Sequence, residues 1–386
     1  MKLIFSALFF SIQFLIYSQN WEQLSAVPSP GRDDGVSFSI NGFGYIVTGN
    51  QNGFSESNKL FQYTPISNSW KEVNPFPGVA RQYAGVFVVN NMAYLIGGYS
   101  SSNEALKDVW KYNPSTNEWI QLGDFPGEAR WSFFTFTTLD FGFLGTGATE
   151  NGPTVSDCWK YNPSSDQWTA ISAYPEGEIR EVHGFCLGED CFAGTGMTLN
   201  PLQFSKKFYK YDPREDLWST IDDFPGEARG YVGVEKIGKY GIVGGGWGNQ
   251  NVFYKDFYQF SLNGKWTVLP DFPLQGWRGI SSFSINKTAY FTSGLYEDLS
   301  RTSDLFQLNI QLNDELIIYP NPSEDFSILY STYQGRIDIF DLKGNKVDEL
   351  NTNENGFNRL PKLSIGEYLV RLSDGSFKKT LRWIIR

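Results

Sequence analysis

The chain has 386 residues, with 32 Lys+Arg against 42 Asp+Glu and a formal charge of −10. That acidic balance argues against nucleic-acid binding, which needs a basic face to displace phosphate counterions, and 41% hydrophobic residues exclude a disordered chain. A single histidine, His183, rules out chemistry that needs two imidazoles, and three cysteines build neither a disulfide scaffold nor a four-thiolate metal site. No metal or other cofactor is expected. Aromatic residues make up 17% of the chain and Gly supplies 39 positions, a composition that favours strands and turns.

The chain opens with MKLIFSALFFSIQFLIYS, a Lys followed by a mostly apolar run ending in a small Ser. This pattern predicts a secretory signal peptide over residues 1–18, its apolar core too short for a membrane span. No later apolar run reaches membrane length, so no transmembrane segment is expected after removal of the leader.

An internal repeat organises the next three quarters of the chain. Tryptophans fall at Trp21, Trp70, Trp119, Trp168, Trp218 and Trp266. Arginines fall at Arg32, Arg81, Arg130, Arg180, Arg229 and Arg278, and glycines close a strand at Gly49, Gly98, Gly147, Gly196, Gly245 and Gly294. All three markers share a period close to 49 residues. Residues 81–119 show the texture of one unit: an apolar run AGVFVV, a turn NN, a second run AYLIGG, a polar loop, a third strand DVWKYN and a fourth beginning at Trp119. Each unit therefore predicts four strands.

An Arg, an apolar strand, a Tyr-x-x-Gly-Gly strand, an aromatic strand and a Trp at this period resemble Kelch repeats over residues 20–310. The resemblance implies an all-β, six-bladed β-propeller with one four-stranded blade per repeat. The sixth unit passes Gly294 and Phe306 with no Trp after it, while Trp21 precedes the first Arg. The N-terminal strand WEQLS is therefore expected to supply the outer strand of the last blade and close the ring.

The pattern stops near Ile310. Residues 313–386 alternate short strands with DLKGN, NENG and SDGS turns, which predicts a small β-sandwich. Tyr319-Pro320-Asn321-Pro322, the IDIFDLKGNKV strand-turn-strand with Gly344, LSIGEYLVRL with Gly366 and Tyr368, and Lys378-Lys379 resemble the type A C-terminal sorting domain of the type IX secretion system. The resemblance implies a bacterium of the Bacteroidota type, and export across the outer membrane by that machinery. It also implies removal of this domain there, leaving the propeller released or attached to the cell surface. The expected organisation is a signal peptide over 1–18, a propeller over 19–312 and a sorting domain over 313–386.

Function must come from loops, because a propeller is a scaffold. The loops leading into the first strand of each blade, and those after the second strand, lie on one face. They supply the ligand-binding candidates Asp34, Tyr83, Trp131, Glu181, His183, Tyr231, Trp247 and Trp277. Aromatic rings stack on the C–H faces of sugars while amides and hydroxyls bond their hydroxyl groups, and the same mixture suits a peptide. The repeated arginines read as structural, bridging adjacent blades, with Glu128 and Glu227 as counter-charges to Arg130 and Arg229. The repeated tryptophans read as core packing. Cys186 and Cys191 flank the turn LGED, where an exported protein is expected to pair them across the hairpin. Cys158 reads as a small core residue, and His183 as a hydrogen-bonded structural histidine rather than a general acid or base.

The sequence therefore points to a secreted or cell-surface binding protein, a monomer that recognises a glycan or a protein. The alternative is a cofactor-independent sugar mutarotase or epimerase, because Kelch-type propellers include the sialic acid mutarotases. In that reading Glu181 is the general base and an Arg holds the substrate carboxylate.

Overall fold

The computed structural model describes residues 20–52, 55–150, 152–310, 316–319, 327–331, 334–352, 356–373 and 378–386. The expected signal peptide, and Pro320, Asn321 and Pro322 of the sorting motif, lie outside the described residues. Among the described residues there is no α-helix, only strands and one short 3₁₀ turn at Asn249–Asn251.

Six four-stranded antiparallel sheets follow one another along the chain. Their inner strands are Val36–Ile40, Gly85–Val89, Phe134–Thr137, His183–Leu187, Gly233–Ile237 and Ser281–Ile285. Burial alternates along several of them, as the two-residue period of a strand requires. Phe38 and Phe87 pack between sheets, whereas Ser37, Ser39, Val86 and Val88 turn toward a central cavity. Each inner strand packs against the next, and the sixth packs against the first. In the sixth sheet the outer strand is Asn20–Leu24, which pairs antiparallel with Leu305–Asn309 and sets Trp21 opposite Leu308. The pairing covers an edge that would otherwise expose unpaired backbone groups.

A repeated side-chain stack builds each blade. Trp119 meets Phe76 edge-on at 5.2 Å, and Phe76 in turn lies under the Arg81 guanidinium at 4.8 Å. Trp168, Phe125 and Arg130 repeat the arrangement at 5.2 and 5.0 Å, and Trp266, Phe224 and Arg229 at 5.5 and 5.0 Å. Trp218 meets Tyr174, and Trp21 meets Phe272, in the same way. Trp70 instead packs on Val27 and Phe61. Each edge-to-face pair contributes about 0.5–1.5 kcal/mol beyond the area it buries.

The arginines correct the sequence reading in two respects. The side chains of Arg32, Arg81, Arg130 and Arg229 tie their own blade together rather than bridging to the next, whereas those of Arg180 and Arg278 do reach neighbouring blades. Arg130 donates to Thr146 O at 3.2 Å and, in a fork, to both carboxylate oxygens of Asp157 at 2.8 Å. Arg81 and Arg229 grip Asp108 and Asp256 likewise. The counter-charge is thus an Asp 27 residues on, because Glu128 and Glu227 offer only their backbone carbonyls to the Arg Nε. Blade-to-blade links run through the backbone instead, as where Gly49 N donates to Arg81 O at 2.8 Å and Gly294 N to Arg32 O at 2.6 Å.

The six arginines are also not in one register. Arg32, Arg81, Arg130 and Arg229 are buried at this position and each donates to the backbone carbonyl 16 residues on, but Arg32 has Lys59 in place of the Asp and bonds Ser29 Oγ instead. In the sixth blade Trp277 takes it, its Nε1 donating to Ser293 O at 2.6 Å. In the fourth blade Ile179 stands there, and Arg180 and Arg278 sit one residue further along. The glycine register shifts too. Gly246, at φ 101°, matches Gly98, Gly147 and Gly294 at 107°, 104° and 106°, whereas Gly245 at 64° does not.

The C-terminal strands form two sheets, one of Leu316–Tyr319, Ile328–Ser331 and Phe357–Arg359, the other of Arg336–Asp341, Lys346–Asn351, Gly366–Ser373 and Lys378–Ile385. They enclose one core containing Leu329, Ile337, Ile339, Val370, Leu372 and Trp383. Gly344 takes the left-handed position of the DLKGN turn at φ 85°. Gly366 begins a strand in which the Tyr368 ring lies tilted against Trp383 at 5.6 Å, and Lys378 and Lys379 begin the last strand.

This unit packs on the propeller face that carries the hairpin turns. Ile328, Tyr330 and Phe357 share a buried cluster with Phe185, Leu187, Phe192 and Phe260. Arg359 spans two turns, bonding Asp140 of the third blade and Glu189 of the fourth.

Candidate functional site

The segments that lead into each blade pair with the end of that blade's second strand. Examples are Arg32 with Gln51, Arg130 with Thr149, Arg229 with Gly248, and Trp277 with Tyr296. Two residues after the structural Arg position the chain turns through a left-handed conformation in every blade. The residues are Asp34, Tyr83, Ser132, Glu181, Tyr231 and Gly279, with φ between 55° and 62°. Such φ values are uncommon for residues other than glycine, and five of these six carry side chains.

Backbone hydrogen bonds link five of the six successive pairs of turns around a ring. Tyr83 N donates to Asp34 O at 2.9 Å, Ser132 N to Tyr83 O at 3.1 Å and Glu181 N to Ser132 O at 2.9 Å. Gly279 N donates to Tyr231 O at 3.0 Å and Asp34 N to Gly279 O at 3.2 Å. The ring forms the mouth of the central channel, with a polar cavity of about 80 Å³ at its centre.

Three carboxyl groups, three guanidinium groups and a set of aromatic rings meet there or at its rim. Ser132 Oγ donates to the Glu181 carboxylate. Asp34 lies 3.9 Å from Arg278, and Asp33 accepts from Arg301 Nε at 2.6 Å. Arg180 donates from Nη2 to the Tyr231 hydroxyl at 2.7 Å and lies over the Trp131 ring at 4.4 Å. Arg278 covers Tyr231 from its own side at 4.9 Å. Tyr83 is 5.2 Å from Trp131 and 6.2 Å from Tyr231, and Tyr231 is 5.9 Å from Trp247.

Burial pushes the Asp34 carboxyl well above its ordinary value. The charge of Asp33 adds to this, and Arg278 opposes it. Burial also raises the Tyr83 and Tyr231 hydroxyls. His183 sits beneath the ring with Nδ1 3.0 Å from Glu181 O, and burial lowers its pKa, so the imidazole is neutral near pH 7.

Below the ring the channel widens to about 860 Å³, walled by the inner strands of all six sheets and, at the far end, by Thr352 and Phe357 of the C-terminal unit. Glu235 and Lys236 are the charged pair in this wall. Burial raises the Glu235 carboxyl to about 7 and lowers the Lys236 ammonium.

The structure thus brings Asp34, Tyr83, Glu181 and Tyr231 into one ring and sets Trp131 and Trp247 beside it. Trp277 is not with them. It is fully buried in the last blade between Phe272 and Phe306, so it has no surface to offer a ligand. Cys186 and Cys191 are joined by a disulfide across their hairpin, and Cys158 is buried in the core as a free thiol. Sequence reasoning missed Arg180 and Arg278 at the mouth. The signal was the distance to the closing glycine, 16 residues from Arg180 to Gly196 and from Arg278 to Gly294, against 17 from Arg32, Arg81 and Arg130 to theirs.

Comparison with known proteins supports the fold and the tail. A Kelch motif matches residues 80–126, and a secretion system C-terminal sorting domain matches residues 317–386. Among solved structures, one described as the structure of YjhT is 17% identical with a TM-score of 0.64, over 75% of this chain and 98% of that one. A search of curated proteins finds no match. The chain thus has a β-propeller fold that carries a Kelch motif, and its C-terminal match to a secretion system sorting domain indicates export to the cell surface or beyond.

Proposed function

We propose that the mouth of the channel is the binding site of an exported recognition protein whose ligand is a glycan or a protein. In this reading residues 1–18 are the signal peptide, 19–312 the propeller and 313–386 the sorting domain. The observation that carries it is the ring of left-handed turns that gathers Asp34, Tyr83, Ser132, Glu181 and Tyr231. Five non-glycine residues in a costly backbone conformation at one place point to a use for that place. The mixture also suits a polyhydroxylated ligand: carboxylates accept from its hydroxyls, guanidinium groups and phenols donate, and Trp131 offers a ring face.

A glycan array probed with the full chain tests this. Selective binding that is lost in Trp131→Ala is the expected result. Binding that survives Trp131→Ala would remove the mouth from consideration, and a blank array would reject the glycan and leave a protein ligand.

A second reading is a sugar mutarotase or epimerase that needs no cofactor. It is favoured by Glu181, a buried carboxylate held by Ser132 beside Arg180, in the position of a general base next to an anion receptor. Proton NMR of sialic acid anomers separates the two readings. Faster anomer exchange with the protein, abolished in Glu181→Gln, establishes the enzyme; unchanged exchange dismisses it.

A further inference from the structure

The fourth blade departs from the others at two positions at once. Where Arg81, Arg130 and Arg229 stand in their blades, it has Ile179; where Asp108, Asp157 and Asp256 stand 27 residues further on, it has Lys206. Both members of the structural ion pair are therefore replaced. A missing Asp alone does not free an arginine, since Arg32 has Lys59 at that place and still donates to Thr48 O and Ser29 Oγ within its own blade; Arg180 differs in standing one residue past the structural position, which Ile179 fills.

The guanidinium of Arg180 instead reaches over the mouth, spanning three blades. It lies over Trp131 of the third blade at 4.4 Å and bonds the hydroxyl of Tyr231 of the fifth. The residue is 7% exposed, and its Nε is buried without a partner. Among the described residues no carboxylate lies within ion-pair distance of it. The acids nearby are committed elsewhere, Glu181 to Ser132, Asp34 to Arg278 and Asp33 to Arg301.

A guanidinium does not shed its proton in proteins, so burial cannot neutralise it. A buried cation without an anion is costly, and stacking on an aromatic ring offsets only part of that cost. A planar fork of N–H groups with one bond made is suited to a carboxylate or a sulfate, each able to accept two parallel bonds. Arg278, on the other side of the Tyr231 ring, adds a second positive charge to the same place.

We propose that Arg180 is the receptor for an anionic group, a carboxylate or a sulfate ester, on the glycan that the mouth binds. The proposal rests on the reading of the mouth as a binding site and adds the charge class of its ligand.

The test is the full chain on an array that carries uronate-containing, sulfated and neutral glycans, repeated with Arg180→Gln, Arg180→Lys and Trp131→Ala. The expected hits are acidic. Hits confined to uronates assign the anion as a carboxylate, and hits confined to sulfated glycans as a sulfate ester. Affinity should fall about tenfold or more in Arg180→Gln, the loss of one charge-assisted fork, and by less in Arg180→Lys, which keeps the charge without the fork. A thermal melt without ligand checks folding, and Arg180→Gln should match the wild-type midpoint while losing the upward shift that the acidic glycan gives the wild type. Neutral hits that vanish in Trp131→Ala but persist in Arg180→Gln would overturn this inference and leave the binding site standing. Acidic glycans bound no better than neutral ones, or bound equally by Arg180→Gln, would overturn it as well.

Discussion

Replacing Arg130 and Arg180 by methionine applies the same substitution to two buried arginines of adjacent repeats, with opposite expected outcomes. Arg130 makes four hydrogen bonds, from Nε to Glu128 O, from Nη1 to Thr146 O, and from Nη1 and Nη2 to the two carboxylate oxygens of Asp157. Its side chain is 2% exposed while that of Asp157 is 44% exposed. Water can therefore take over much of the Asp157 solvation, but not that of Thr146 O inside the blade. An unsatisfied buried acceptor costs roughly 1–3 kcal/mol, and the lost ion pair and the cation–π contact with Phe125 add to it. About 3 kcal/mol is expected for Arg130→Met, the lower end of what breaking a buried pair costs. Arg180 makes one bond and has no acid partner, so Arg180→Met loses that bond and its stacking but relieves an uncompensated charge. Its net effect is expected within about 1 kcal/mol of zero. Guanidinium chloride unfolding followed by Trp fluorescence reads both, with the slope of the transition serving as a check that the unfolded reference is unchanged. A cost below about 1 kcal/mol for Arg130→Met, or equal costs for the two variants, would refute the division into structural and mouth arginines.

Further outcomes follow from the same interactions. Burial acts to raise the pKa of Asp108 and Asp157, but bonds from Arg81 and Arg130 outweigh it and hold both carboxyls below the ordinary value. A depressed carboxyl stabilises the fold above its ordinary pKa and loses that effect as the pH falls through the depressed one. Thermal midpoints should therefore drop below about pH 4, with a shallower drop in Arg130→Met. Glu235 has the opposite sign. With its pKa raised to about 7 in the channel wall, it opposes folding increasingly as the pH rises through that value. Glu235→Gln should then raise the midpoint at pH 8 more than at pH 5, and equal gains at both would contradict the assignment. Phe357→Ala should cost about 3 kcal/mol and raise hydrogen exchange in the turn at Gly188, because the ring is 2% exposed between tail and propeller. Arg359→Ala should cost at most about 1 kcal/mol, since its own side chain is 42% exposed and water can replace it, and a larger loss than in Phe357→Ala would reverse that order.

The sequence by itself determined the repeat, the four strands of each unit and the role of the outer Trp. A period near 49 residues in three unrelated residue types is a local signal, and each marker packs mainly against partners that recur in the same unit or the one beside it. The tail was legible for the same reason, through short strands and turn residues close together in the chain. The docking of that tail was not, because the match of Phe357 and Arg359 to turns more than a hundred residues away leaves no periodic trace. The roles of Arg180, Arg278 and Trp277 also depended on tertiary structure. A displacement of one residue in a strand turns a side chain from one face to the other, so an arginine that looks in register at a spacing of 50 faces the channel rather than the blade. The ring of left-handed turns is likewise a tertiary decision. Asp34, Tyr83, Ser132, Glu181 and Tyr231 share no common residue type, and they became one site only when the packing of successive blades, with hydrogen bonds between most of the turns, placed them side by side.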